Sequence, residues 1–205
     1  MLMSATVRLH RHRLRTAGQR GASLIEILIS VVILLVALLG AAGMMGRSNQ
    51  SEMESYQRVQ ALTLLQDMAT RLNANRQAAP CYAAAGTMTI VGNGTNTTPT
   101  TCATGTAAQQ ATATADLAAW STELIGSAEK ASTASGATAL GAMIGAVGCI
   151  EQLDAVNQIY RVSVAWQGLV KTVPSSLPCG SGTGAFGDDA YRRAISVQIR
   201  IGVLS

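Results

Sequence analysis

The sequence predicts an α+β chain in which one long N-terminal helix packs on a C-terminal antiparallel β-sheet, with disulfides tying the loops between them. Three observations carry that expectation. An uncharged run of nineteen residues, Ile27 to Met45, is long enough to cross a bilayer core as a helix. An amphipathic helical pattern follows it, with Ala61, Leu65, Met68 and Leu72 recurring at offsets of four, seven and eleven. The last part of the chain alternates apolar and polar residues with a period of two, as a strand with one buried face does.

Taken in chain order, the first element is a basic arm with Arg8, Arg11, Arg13, Arg15 and Arg20. Two readings of the arm and the apolar run compete. A secretory signal peptide needs a shorter apolar region and a small-x-small cut behind it, and only Gly40-Ala41-Ala42-Gly43 offers one. A retained anchor with a leader cut on the cytoplasmic side needs a small residue before the run, and Gly21 stands there. The second reading fits the length of the run better. Positive flanks stay cytoplasmic, so the chain beyond Met45 is expected outside the cytoplasm. Glu26 is the anomaly, because a carboxylate deep in lipid costs about 2.5 to 3.5 kcal/mol and persists where a cation pairs with it. The bland alternative is a side chain that snorkels to the headgroups.

The stretch Gly21-Ala22-Ser23-Leu24-Ile25-Glu26 before an aliphatic run resembles the class III signal of type IV prepilins and type II secretion pseudopilins. That resemblance implies a pilin-like fold and a cut between Gly21 and Ala22 by an inner-membrane prepilin peptidase, which also methylates the new amine of Ala22. The family's glutamate corresponds to Glu26, implied to pair with the terminal amine of its own chain or of a neighbouring subunit. Ala22 departs from the family's usual Phe, and the anchor lacks the proline many major pilins carry, with Gly43 near its place. On this basis residues 1–21 are a leader, 22–45 a transmembrane and assembly helix, and 46–205 a periplasmic domain.

The helix is expected to run unbroken from Ser23 to about Gln77, loosened by Gly40, Gly43 and Gly46, until Pro80 stops it. Residues 83–148 are rich in Ala, Thr, Gly and Ser and read as a variable region, with residues 92–99 as loop or hairpin turn. One short helix is expected from Asp116 to Lys130, capped by Thr114 or Asp116, with Leu117, Trp120, Leu124 and Ala128 on one face. Ala131 to Val147 shows little pattern. The sheet is expected over about 149–205. In it, Tyr160, Val162, Val164 and Trp166 form one apolar row, and Ile195, Val197, Ile199, Ile201 and Val203 form another. These rows would cover the Leu65 and Met68 side of the helix.

The residues Tyr160-Arg-Val-Ser-Val-Ala-Trp-Gln-Gly, Pro178-Cys179-Gly180 and Tyr191-Arg192-Arg193-Ala-Ile-Ser-Val are similar to the C-terminal half of PilV-type minor pilins, the type IV pilus modification proteins. The paired arginines read equally as a solubilising strand edge or as a subunit contact.

Cys81, Cys102, Cys149 and Cys179 form no CxxC pair, and the histidines, His10 and His12, both lie in the leader, so metal binding is not expected. In an oxidising periplasm two disulfides are the better reading, with the sequential pairing Cys81–Cys102 and Cys149–Cys179 favoured. Formal charge is +4, but the leader holds five of the fifteen Lys and Arg, so the basic balance reflects topology.

Function follows from exclusion as well as resemblance. Without His, a nucleophile elbow or a phosphate-cradling Gly motif in the mature chain, no enzyme and no cofactor are expected. No basic cluster interleaved with aromatics speaks for nucleic acid. The resemblance implies a minor pilin that helps to start type IV pilus assembly, with other minor pilins, the major pilin, the prepilin peptidase, the inner-membrane assembly platform and the lipid bilayer as partners. A minor pseudopilin of type II secretion is the alternative, to which only Asp188-Asp189 hints as a calcium site. A tip adhesin or DNA-uptake receptor fits the composition less well.

Overall fold

The computed structural model describes residues 23–93, 98, 102–126, 130–133, 136–139 and 143–202. The chain divides into two compact units, Met1–Gly46 and Arg47–Ser205. The element order is α1 (Leu24–Ala74), a 3-10 turn (Arg76–Cys81), β1 (Met88–Gly92), α2 (Ala107–Leu124), β2 (Lys130–Thr133), β3 (Gly136–Ala139), β4 (Ile144–Asp154), β5 (Ile159–Gln167), a second 3-10 turn (Asp189–Tyr191) and β6 (Arg192–Arg200). The long helix and an antiparallel sheet of order β1-β4-β5-β6 realise the expected α+β class, with β2 and β3 forming a separate hairpin.

Helix α1 passes Gly40, Gly43 and Gly46 without a break. Its second half buries Gln57, Ala61, Leu65, Met68 and Leu72, the row anticipated from spacing plus one glutamine. Ala61, Leu65, Met68 and Leu72 share one core with Trp120 and Leu124 of α2 and with Tyr160, Val162, Val164 and Trp166 of β5. Ile195, Val197 and Ile199 of β6 pack against the same core. Val203 lies outside the described residues.

The helix ends at Ala74, not at Gln77, and Pro80 is not what ends it. Asn75 leaves helical geometry at φ −103° and ψ 38°. Its buried amide Nδ2 donates to Gln109 O at 2.8 Å and to Tyr82 Oη at 3.2 Å, so side-chain bonds across the domain replace the next helical turn. Pro80 instead sits inside the 3-10 turn that follows.

Helix α2 corrects the expected span of Asp116–Lys130. It starts nine residues earlier, at Ala107, and ends at Leu124. The cap is Thr106, neither Thr114 nor Asp116. The Thr106 hydroxyl accepts from Gln109 N–H, and Gln109 Oε1 accepts from Thr106 N–H, a reciprocal capping box. The Ala-rich and Thr-rich first half has no large apolar residue to reveal a period, which is why that half was unreadable. Ala128 lies outside the described residues.

The region 83–148 holds more order than its composition suggests, and the sheet begins well before residue 149. Strand β1 lies inside it, β4 starts at Ile144, and part of Ala131–Val147 forms β2 and β3. In β4 residues 146–150 are all buried, so no polar-apolar alternation marks it. Gly148 permits its central packing, because a Cβ there would lie 2.4 Å from the Trp120 ring. Residues 94–97 and 99, within the expected loop, lie outside the described residues.

Strand β5 was expected to be half-buried, but Ser163 and Ala165 on its second face are as covered as Tyr160 and Val162. The covering comes from Cys149, Cys179 and Phe186, which form a small second core with Val147 and Ala165.

Candidate membrane and assembly site

Helix α1 is the one helix among the described residues that is long and apolar enough to cross a membrane. Within the first unit its residues 24–46 are exposed on every side. Leu24, Leu39 and Met44 exceed 70 % exposure, which in water is unfavourable at about 25 cal/mol per Å² of apolar surface. A helix apolar all round calls for an apolar environment on all sides.

Glu26 stands in the first turn of that helix. The Ser23 carbonyl accepts from Glu26 N–H at 3.0 Å and from Ile27 N–H at 3.3 Å, and Ser30 Oγ donates to the Glu26 carbonyl at 2.7 Å. These bonds engage the backbone and leave the carboxylate without an ion pair among the described residues. Gly21 and Ala22, the expected cut site, lie outside the described residues.

The domain is braced by charge networks that spacing did not expose. Arg71 on α1 reaches Asp67 at 2.6 Å, Glu123 at 2.8 Å and Asp116 at 3.5 Å, joining α1 to α2. Burial, the largest influence, lowers the Arg71 pKa, yet the bond to Asp67 and the three carboxylate charges together hold it above its ordinary value. Beside it the Tyr82 hydroxyl donates to Asp116, and burial first, then that bond, pushes the phenol up. Trp120 Nε1 donates to the Leu64 carbonyl at 3.0 Å, a second tie between α2 and α1.

Arg192 and Arg193 are neither a solvated edge nor a free contact surface. Arg192 is 1 % exposed. Its guanidinium meets Asp189 in bidentate fashion at 2.6 and 3.0 Å. It also donates to the carbonyls of Ser175, Leu177 and Cys179. Arg193 donates to Glu54 of α1 at 3.2 Å and to the carbonyl of Val170 at 2.7 Å. Five donors in a planar fork suit such multiple acceptance. The sequence signal that could have found this is Asp189 three residues before Arg192.

Asp188 and Asp189 are likewise engaged. Asp188 pairs with Lys171 at 2.7 Å and caps the second 3-10 turn by accepting from Ala190 N–H. The Lys171 hydrogen bond chiefly holds the Asp188 carboxyl below its ordinary range, and that from Arg192 does the same for Asp189. Both carboxylates are thus occupied by cations of the chain itself. Among the described residues no three His, Cys, Asp or Glu gather as metal ligands.

Cys81 is bonded to Cys102 with Cα atoms 5.2 Å apart, and Cys149 to Cys179 at 5.7 Å. The first bridge fastens the 3-10 turn to the segment before α2, and the second fastens β4 to the loop between β5 and β6.

Residues 43–120 match the family model described as Tt1218-like, Type IV pilin Tt1218, which is somewhat more than a third of the 205 residues. No curated protein and no solved structure matches. The matched stretch runs from the middle of α1 through most of α2 and includes the Leu65 and Met68 core row, the 3-10 turn, both cysteines of the first bridge and β1. A long apolar helix whose second half packs on a four-stranded antiparallel sheet with two disulfides is a pilin-like α+β fold, and the family match supports a type IV pilin.

Proposed function

We propose that this chain is a minor pilin, a structural component that helps to start type IV pilus assembly at the inner membrane and enters the fibre or its tip complex. The observation that carries the reading is the division of labour along α1. Its first half is apolar on every face, while its second half is the core of a disulfide-tied domain matching type IV pilins. In this reading the first half waits in the bilayer with the N-terminus cytoplasmic and then packs among neighbouring pilins, major and minor. The prepilin peptidase cuts after Gly21 and methylates Ala22, so the chain is a substrate and not a catalyst. The inner-membrane platform lifts the processed subunit out of lipid. Glu26, which makes no ion pair among the described residues, pairs with a terminal amine and fixes axial register. The pairing of Asp188 with Lys171 and of Asp189 with Arg192 weighs against the alternative reading, a calcium-loaded pseudopilin of type II secretion.

The test separates processing from assembly. Glu26→Ala leaves the cut site intact, so mature protein is expected in the membrane but scarce among pili sheared from the cell. Gly21→Val is expected to leave the uncut precursor, read by mass spectrometry. Unchanged incorporation of Glu26→Ala would mean that the carboxylate only snorkels, and a mature N-terminus at Ala22 in Gly21→Val would remove the prepilin assignment.

A further inference from the structure

The two outer strands of the main sheet, β1 and β6, are finished differently. At β1 the Gly92 N–H donates to Ser121 Oγ of α2 at 3.1 Å, so α2 engages the end of that edge. At β6 the parity of the ladder decides what is left. Gly168 N–H donates to the Tyr191 carbonyl just before the strand, and Ile201 N–H donates to the Gln158 carbonyl just after it. Between them the β5–β6 register runs without a shift, from Gln167 opposite Arg192 to Ile159 opposite Arg200. Hydrogen-bonded pairs alternate in an antiparallel ladder. Arg193, Ile195, Val197 and Ile199 therefore turn their N–H and C=O groups to β5, while Ala194, Ser196, Gln198 and Arg200 turn theirs outward. No described residue bonds those outward groups.

The surroundings of this edge describe a guest. A cavity of about 240 Å³ opens beside it, with Ser51, Ser55 and Arg58 of α1 on one wall, Trp166 and Ile195 on the other, and the Glu54–Arg193 ion pair between them. Ile195, Val197 and Ile199 are only partly buried, so the core row beneath the edge still has surface to cover. Two cations flank the edge, Arg58 near its start and Arg200 at its end; neither makes an ion pair with a described residue, although the charge of Arg200 also acts on the exposed Asp154. Arg193, by contrast, is already held by Glu54.

We propose that the outward edge of β6 accepts an extended, acidic segment of a different protein as a fifth strand. Main-chain pairing supplies the affinity, and small apolar side chains of the guest enter the cavity against Trp166. Its carboxylates meet Arg58 and Arg200. A second copy fits less well, because its β6 strand, Arg192–Arg200, brings no carboxylate to meet Arg58 and Arg200.

The test uses the full chain in detergent micelles, isotope-labelled for amide exchange, with the synthetic peptide acetyl-Glu-Val-Thr-Val-Thr-Val-Glu-amide as probe. Exchange at Ala194, Ser196, Gln198 and Arg200 is expected to slow roughly tenfold or more, with little change at Ile195 and Val197, whose amides are already in the ladder. Ser196→Pro removes an outward donor without breaking a ladder bond, so it is expected to fold and lose the peptide. Arg58→Glu with Arg200→Glu, which leaves the backbone untouched, is expected to weaken binding roughly fivefold. No slowing at millimolar peptide would overturn the proposal. Equal protection by the peptide with Lys in place of Glu would overturn the acidic guest, and protection that rises with protein concentration alone would make a second copy the occupant.

Discussion

Arg192 shows how far one side chain can hold a loop that composition alone would leave loose. Its buried guanidinium collects three carbonyls from Ser175, Leu177 and Cys179, just before the Gly-rich stretch, and anchors them through Asp189. Arg192→Met keeps the apolar stem but leaves buried acceptors unmet, and is expected to cost about 3 kcal/mol, read as a lower urea midpoint at an unchanged slope. Acid should weaken the same contact. The folded pKa of Asp189 is depressed, so its contribution is fully present above the unfolded carboxylate value of about 3.9 and is lost as pH falls through the lower folded value. Stability is expected to hold from pH 7 to 5 and to decline below about pH 4, and Asp189→Asn should flatten part of that decline.

At the scale of elements, the contact of α2 with β4 turns on Gly148. Trp120 is fully buried against that glycine while its Nε1 reaches back to the Leu64 carbonyl, so one indole sets the spacing of α1, α2 and β4. A Cβ at residue 148 would lie 2.4 Å from the ring and 2.6 Å from Leu124. Gly148→Ala is therefore expected to destabilise by about 1 to 3 kcal/mol or more, with a change in Trp120 near-ultraviolet circular dichroism. An unaltered melting curve and spectrum would mean that α2 can shift away without loss. The capping box shows the opposite kind of legibility. Thr106 and Gln109 stand three apart in the sequence and announce the helix start, but only once the Ala-Thr run behind them is recognised as helix.

For the molecule as a whole, the two bridges constrain the parts whose side chains pattern least. The Cys149–Cys179 bridge closes a loop of 30 residues and sits in the small core on the outer face of the sheet. Replacing both cysteines by Ala is expected to cost about 3 to 4 kcal/mol through the freedom returned to the unfolded chain. Thermal melting of the oxidised protein against the double variant reads the difference. A loss below about 1 kcal/mol would mean that Arg192 and Phe186 hold the loop unaided.

The sequence by itself determined the two halves of α1, because length and apolar periodicity are local properties that survive in any tertiary context. It also determined strands β5 and β6, whose core-facing rows alternate cleanly, and it favoured the pairing of the cysteines found in the structure. Only the tertiary structure decided the rest. Strand β4 carries no alternation because both its faces are covered, α2 hides its first half in small residues, and α1 stops where Asn75 finds Tyr82 and Gln109. Arg192 and Arg193 read in one dimension as a solubilising edge or a subunit contact because their acceptors, the Ser175, Leu177 and Cys179 carbonyls and Glu54, lie between 13 and 139 residues away. A period can be read along a chain, whereas a partner can be read only once folding has brought it near.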